Sequence, residues 1–262
     1  MLKKILLSCL ILVSNSTFSK SLALSFDDGL DLSTHPQVQH INDAILNTLK
    51  QNKGHAIIYP SLSKIGANDG LGMIKQWGKQ GHRIGNHGNL HLNLNKDEVN
   101  LSTYLADMQQ GHQAFSTLEG FVPRYRFPFL KEGNTLEKRD GVRQWIKDHH
   151  YQSGAVSIDA SDWFYNQLFL KYQQENDQQS LVKLKQAYIF HLLDRAKYYD
   201  DLAQQTLGRS PKHVLLLHVR AINAAWLQDI IDAFHHQGWI FIDSDTAYQD
   251  PMYNIEPQLL PA

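Results

Sequence analysis

Two adjacent carboxylates, Asp27 and Asp28, end an apolar run in Ser25-Phe26-Asp27-Asp28-Gly29, and two histidines stand four residues apart in His87-Gly88-Asn89-Leu90-His91. A carboxylate beside a buried strand is costly unless a cation or hydrogen bonds satisfy it. Neighbouring side chains on an extended segment point to opposite sides, so one aspartate can hold a metal while the other faces a reacting water. A turn or helix cap is the ordinary alternative for Asp-Asp-Gly. Imidazoles at this spacing share one face of a helical turn. With one aspartate they leave a fourth position for water, the arrangement of a catalytic rather than a structural zinc site. His218 closes the very apolar run Val214-Leu215-Leu216-Leu217. A core histidine bonded to a backbone carbonyl is the usual reading of such a residue, whereas its place at the mouth of a strand suits a general acid.

These residues need elements that bring them together. Seven short apolar, β-branched or aromatic runs read as strands: Leu22 to Phe26, Ala56 to Tyr59, Arg83 to Gly85, Arg124 to Pro128, Ala155 to Ile158, Val214 to Leu217 and Trp239 to Ile242. Between them, segments 38–50, 71–80, 96–118, 136–149, 166–207 and 222–237 carry helical periodicity. Alternating strands and helices predict an α/β fold with a parallel sheet, open or closed into a barrel. The polar residues all fall at the C-terminal strand ends, including Arg126 in the fourth run and Asp159 after the fifth, and loops at that edge build the sites of parallel α/β folds.

With 42% hydrophobic and 19% charged residues the chain has enough apolar material for one large core and too little charge for disorder. No linker or repeat divides it, and the glutamine-rich stretch from Gln173 to Gln179 reads as a turn or a solvated helix face. Met-Leu-Lys-Lys, an apolar run from Ile5 to Val13 and polar residues through Ser19 follow the order of a secretory signal. We therefore expect a signal peptide at 1–19, a single domain at 20–262, and an exported protein, periplasmic or secreted. The apolar run is too short for a membrane helix, so no stable membrane span is expected after processing. Cleavage would remove Cys9, the only cysteine, leaving histidine and carboxylate as the possible metal ligands. It would also make a formal charge of −1 more acidic, and with no basic run nucleic acid is not an expected partner. No protein partner is evident.

The segments Ser25–Gly29, His87–His91, Arg126-Phe127-Pro128-Phe129, Asp159-Ala160-Ser161-Asp162-Trp163 and Leu215–His218 together resemble the five ordered motifs of the polysaccharide deacetylase family, also called the NodB-homology or carbohydrate esterase 4 family. The resemblance implies a distorted barrel of seven β/α units and one divalent metal ion, usually zinc, held by Asp28, His87 and His91. It implies Asp27 as catalytic base, Arg126 as the residue holding that base, and the backbone amide of Phe129 as an oxyanion contact. Asp159 would tune the catalytic histidine, His218 would be the general acid, and Trp163 and Leu216 would wall the acetyl pocket. The implied substrate is an acetylated carbohydrate, of peptidoglycan or chitin type.

Two departures from the pattern stand out. Gly88 replaces the usual Ser or Thr after the first metal histidine, removing a hydrogen bond that Asn89 could supply instead, and Val219-Arg220 follows His218 where many relatives carry an acid. These and the helical insertion between Phe164 and Pro211 bear on substrate choice. The competing readings are an O-acetyl esterase on xylan-type sugars, an inactive carbohydrate-binding barrel, which would need neither Asp27 nor His218, and a zinc phosphoesterase, which would call for more metal ligands or phosphate-binding arginines.

Overall fold

The computed structural model describes residues 20–33 and 37–260, so the expected signal segment and Cys9 lie outside the described residues. The architecture is a curled, all-parallel sheet flanked by helices. Its first half runs β1 (Ser21–Asp28), α1 (Val38–Gln51), β2 (Ile57–Pro60), α2 (Leu71–Lys79), β3 (Arg83–Asn86), α3 (Leu101–Phe115), β4 (Phe121–Tyr125) and α4 (Leu136–Asp148). The second half holds β5 (Gln152–Ser153), β6 (Ile158–Asp159), α5 (Asp162–Gln174), α6 (Gln178–Leu207), β7 (Lys212–His218), α7 (Ala221–His236), β8 (Ile240–Phe241) and α8 (Ser244–Tyr248). The strand order is β5-β4-β3-β2-β1-β7-β6, with β8 joining the start of β1. The α/β single-domain expectation therefore stands, as a half-barrel whose two-residue edge strands β5 and β6 are joined by residues 154–157.

The seven expected strands are present, with β5 added, but two begin elsewhere than the composition suggested. The fourth starts at Phe121 and ends at Tyr125, because Arg126 leaves the sheet for a turn through Pro128 in which Phe129 and Leu130 both have φ near 57°. The fifth is confined to Ile158–Asp159. Helix α3 begins at Leu101 rather than near Lys96, since Asn100 caps it by accepting from the Thr103 amide at 2.9 Å. The long helical insertion is two helices, broken over Glu175–Asp177 where Asn176 takes φ 55° and Asp177 caps α6. The exposed glutamine-rich stretch spans that turn.

Alternation along the strands sorts the core. Leu22, Leu24 and Phe26 of β1 and Leu215 and Leu217 of β7 face the helices in the main hydrophobic cluster. Ala23 and Val214 face inward and pack with Ala247, Tyr248 and Tyr253, so the C-terminal segment plugs the interior. By the same period of two, Ser25, Asp27, Leu216 and His218 share the inner face. The β1–β7 register sets Ser25 beside Leu216 and Asp27 beside His218.

The sheet seats α2 closely on the loop before β4. A Cβ on Gly78 would lie 1.9 Å from the Glu119 backbone oxygen. Gly78→Ala should therefore destabilise by on the order of 1–3 kcal/mol through overpacking, outweighing the roughly 1 kcal/mol helix-propensity gain. Urea unfolding should show a lower midpoint with an unchanged slope; a higher midpoint would mean that the loop yields at little cost.

Candidate active site

The mouth of the half-barrel gathers the reactive residues. Asp27 ends the regular part of β1, and Asp28 follows with φ 74°, a left-handed conformation that ends the strand's alternation. The expectation that the two carboxylates point to opposite sides is thus corrected. His87 Nε2 lies 3.7 Å from Asp27 Oδ2 and 3.8 Å from Asp28 Oδ1, so both acids approach the same imidazole. His91 Nε2 lies 3.1 Å from Asp28 Oδ1.

The histidine loop is no regular helical turn, since Gly88 has φ 79° and His91 φ 56°. Its amides are held by Asp107 of α3, whose carboxylate accepts from Leu90 at 2.6 Å and Asn89 at 3.0 Å. This explains the glycine. A Cβ at position 88 would lie 2.2 Å from Asp107 Oδ2, so the residue that steadies the loop occupies the space of the absent side chain. Asn89 does not replace the missing hydroxyl with its side chain, which is directed to Gln110.

Asp28, His87 and His91 present ligand atoms that all lie within 4.8 Å of one another. Their chemistry fits a divalent cation on three counts. Asp28 Oδ1 is buried and has no hydrogen bond, the His91 approach lacking hydrogen-bond geometry. His87 Nδ1 faces the Arg126 carbonyl at 2.6 Å, which fixes its proton there and leaves Nε2 a lone pair toward the cluster. Burial and the neighbouring His91 push His87 down to about 3, so it is neutral, as a ligand must be.

Asp27 is gripped by Arg126, Nη1 donating to Oδ1 at 2.9 Å. Arg126 is itself fully buried. Its Nε donates to the Gly154 carbonyl, and Nη2 donates to Ser25 Oγ at 3.2 Å and Tyr248 Oη at 3.1 Å. Burial raises Asp27 to about 6, against the lowering charges of Arg126 and His218.

His218 is partnered by Asp162 and not by Asp159. Asp162 Oδ1 meets His218 Nδ1 at 2.6 Å, and Oδ2 accepts from the His218 amide at 2.7 Å and from Asn223 Nδ2 at 2.6 Å. Asp159 instead accepts from the Ser161 amide at 3.2 Å in the turn after β6. The physical reason is Ser161, whose φ of 49° swings the chain so that the first residue of α5 projects at the imidazole. Two acids in Asp159-Ala160-Ser161-Asp162 were legible, but placing the reactive one at the strand end selects the wrong member. Asn223 gave no sequence signal; Tyr188 orients it, donating to Oδ1 at 2.7 Å.

The remaining expected residues border the mouth. Phe129 is exposed, and its ring stands edge-on to His91 at 4.6 Å. The next two amides of that turn return to Phe127 and Pro128, while that of Phe129 meets no acceptor among the described residues. Trp163 is half-exposed, beside Asp162, and Leu216 is buried on the inner face. Arg220 Nη2 donates to Asp28 Oδ2 at 3.1 Å.

The sequence model of the polysaccharide deacetylase family matches residues 14–152, just over half of the chain. The chain belongs to the polysaccharide deacetylase family. The matched part carries Asp27, Asp28, His87, His91 and Arg126, whereas Asp162 and His218 lie beyond it. A peptidoglycan-N-acetylglucosamine deacetylase of Bacillus cereus is 31% identical over 143 residues, 54% of this chain and 46% of that protein. The chain thus aligns with about half the length of that curated relative. A solved peptidoglycan N-acetylglucosamine deacetylase, in complex with a benzamide ligand, superposes with TM-score 0.62 at 20% identity, covering 88% of this chain and 92% of that one. A pseudoenzyme of the same esterase family from Bacillus anthracis gives TM-score 0.61 at 12% identity, covering 88% of this chain and 66% of that one. The fold is shared by a deacetylase and a pseudoenzyme, so the reaction has to be argued from side chains.

The two candidate partners of His218 are separable by titration. Burial lowers the imidazole, yet the charge and hydrogen bond of Asp162, helped by Asp28 and Asp27, raise it to about 9. Asp162→Asn removes the largest raising charge, so the His218 resonance in an NMR titration should move to a lower pKa, with Asp159→Asn leaving it in place. The reverse pattern would restore Asp159 as the partner.

Proposed function

We propose that the chain is a divalent-metal-dependent hydrolase that removes N-acetyl groups from a cell-envelope glycan of peptidoglycan or chitin type. The observation that carries this reading is the register pairing of Asp27 with His218 on the inner face. It sets an acid and a base side by side, at the edge of the Asp28, His87, His91 cluster. A binding barrel requires neither of them, which disfavours the pseudoenzyme reading. The exported location remains part of the proposal, supported by the N-terminal pattern and by the cell-wall substrate named for the relative. Among the described residues no helix is long and apolar enough to cross a membrane.

A zinc-type ion held by Asp28, His87 and His91 would supply Lewis acidity toward the acetyl carbonyl and make a water acidic enough to attack. The chain's own groups do the rest. Asp27, oriented by Arg126, accepts the proton of the attacking water. The Phe129 amide donates to the oxyanion that develops on the carbonyl. His218, kept protonated by Asp162, donates from Nε2 to the leaving nitrogen, because Nδ1 is occupied by Asp162. Trp163 and Leu216 bound the acetyl group. An amine leaves poorly without a proton, so a positioned acid is what amide cleavage needs, and the N-acetylglucosamine substrate named for the relative supports the N-acetyl over the O-acetyl reading.

Acetate release from N-acetylglucosamine oligomers and from peptidoglycan should vanish on chelation and return with zinc. His91→Ala should lose metal and activity together; full zinc occupancy in that variant would contradict the ligand assignment. Asp27→Asn should keep its metal while turnover falls by roughly a hundredfold or more. Loss of the metal instead would exchange the roles of the two aspartates. His218→Ala should hurt amide substrates far more than an aryl acetate, whose phenolate leaves unprotonated. Equal losses on both would return His218 to a core histidine.

A further inference from the structure

The two oxygens of Asp28 live in different surroundings. Oδ1 faces the histidines and is the buried acceptor without a hydrogen bond. Oδ2 accepts from Arg220. Arg220 immediately precedes α7 in an extended conformation, φ −137° and ψ 158°, and its carbonyl accepts from the Ala224 amide at 3.0 Å, so its backbone is fixed by the helix start. Its side chain is 29% exposed, yet its Nε is buried with no hydrogen-bond partner. A long cationic side chain at a rim ordinarily keeps its donors in water. Here the guanidinium leans over Asp28 and leaves a donor unpaired, and Asp28 is the acid it pairs with among the described residues.

We propose that Arg220 is a positioning residue that restricts Asp28 to ligation through one oxygen. The inference rests on the metal-site reading above. A carboxylate can bind a cation through one oxygen or both. With Oδ2 engaged by the guanidinium, only Oδ1 is presented beside the two imidazoles, giving three protein donors and leaving room for water and the acetyl oxygen. Removing a partner that orients a ligand from behind typically costs about 10–100-fold in metal affinity or activity. A guanidinium suits this position because it stays charged and donates from a planar fork.

The test uses the full chain loaded with cobalt(II), whose visible absorption weakens as coordination number rises. Arg220→Met should load one equivalent of cobalt and show a severalfold weaker band, as the freed Oδ2 joins the ion. Arg220→Lys, which retains a donor that can engage Oδ2, should lie closer to the parent spectrum, and Arg220→Leu, which also lacks a donor, covers the case in which the methionine variant fails to fold. A helix-start or rim role alone would leave the spectrum unmoved. Parent-like spectra in the fully loaded methionine or leucine variant would overturn the proposal while leaving the metal site intact. If the parent itself bound no cobalt, the metal-site reading would fall, and this inference with it.

Discussion

The structure turns on one buried guanidinium. Arg126 sits inside the half-barrel and donates to Asp27, Ser25, Tyr248 and the Gly154 carbonyl, with its plane over the Tyr59 ring at 4.3 Å. A charge so far from water is tolerable only when its donors are used and a counter-ion is present. Supplying those partners recruits β1, the segment that crosses the open side of the sheet, and the C-terminal plug. The Arg126 backbone also serves the site, its carbonyl fixing His87. Holding the interior shut and orienting Asp27 are one interaction, so neither can be altered alone.

That dependence explains which features could be read from residue order. The strand and helix alternation was legible because apolar periodicity is a local property, and the strand-end rule then placed Asp27, Asp28, His87, His91 and His218 at one mouth. What was not legible depends on single backbone angles. Ser161 in the left-handed region decides that Asp162 rather than Asp159 meets His218, and nothing in the residue types marks serine for that conformation. β5 is two residues long and exists because β4 is beside it. Tyr248 gave no signal at all, being an ordinary aromatic whose importance comes from the arginine that it meets.

Asp107 teaches the same lesson from the opposite direction. Gly88 looks like a loss when only the motif is read, since a hydroxyl is missing. In three dimensions the glycine is the condition for a carboxylate from α3 to reach the loop amides. The histidine loop is therefore held from outside itself, by a residue sixteen positions beyond His91. A pattern confined to the loop cannot contain that information.

The adjacent aspartates pose the sharpest physical problem, because two neighbouring acids on a regular strand would face opposite layers. The positive φ at Asp28 resolves it by ending the alternation there, in a region that costs L-residues roughly 1–2 kcal/mol and that aspartate is among the few non-glycine types to visit. Both carboxylates then crowd His87, and each is matched to its own arginine, Arg126 for Asp27 and Arg220 for Asp28. The matches differ in depth. Arg126 is sealed in the interior and fixes the direction of Asp27, whereas Arg220 reaches in from the rim and leaves one oxygen of Asp28 facing the histidines. A strained residue, two ion pairs of unequal burial and an orphaned acceptor all fit the proposed division of the pair, in which one acid is a base and its neighbour a ligand.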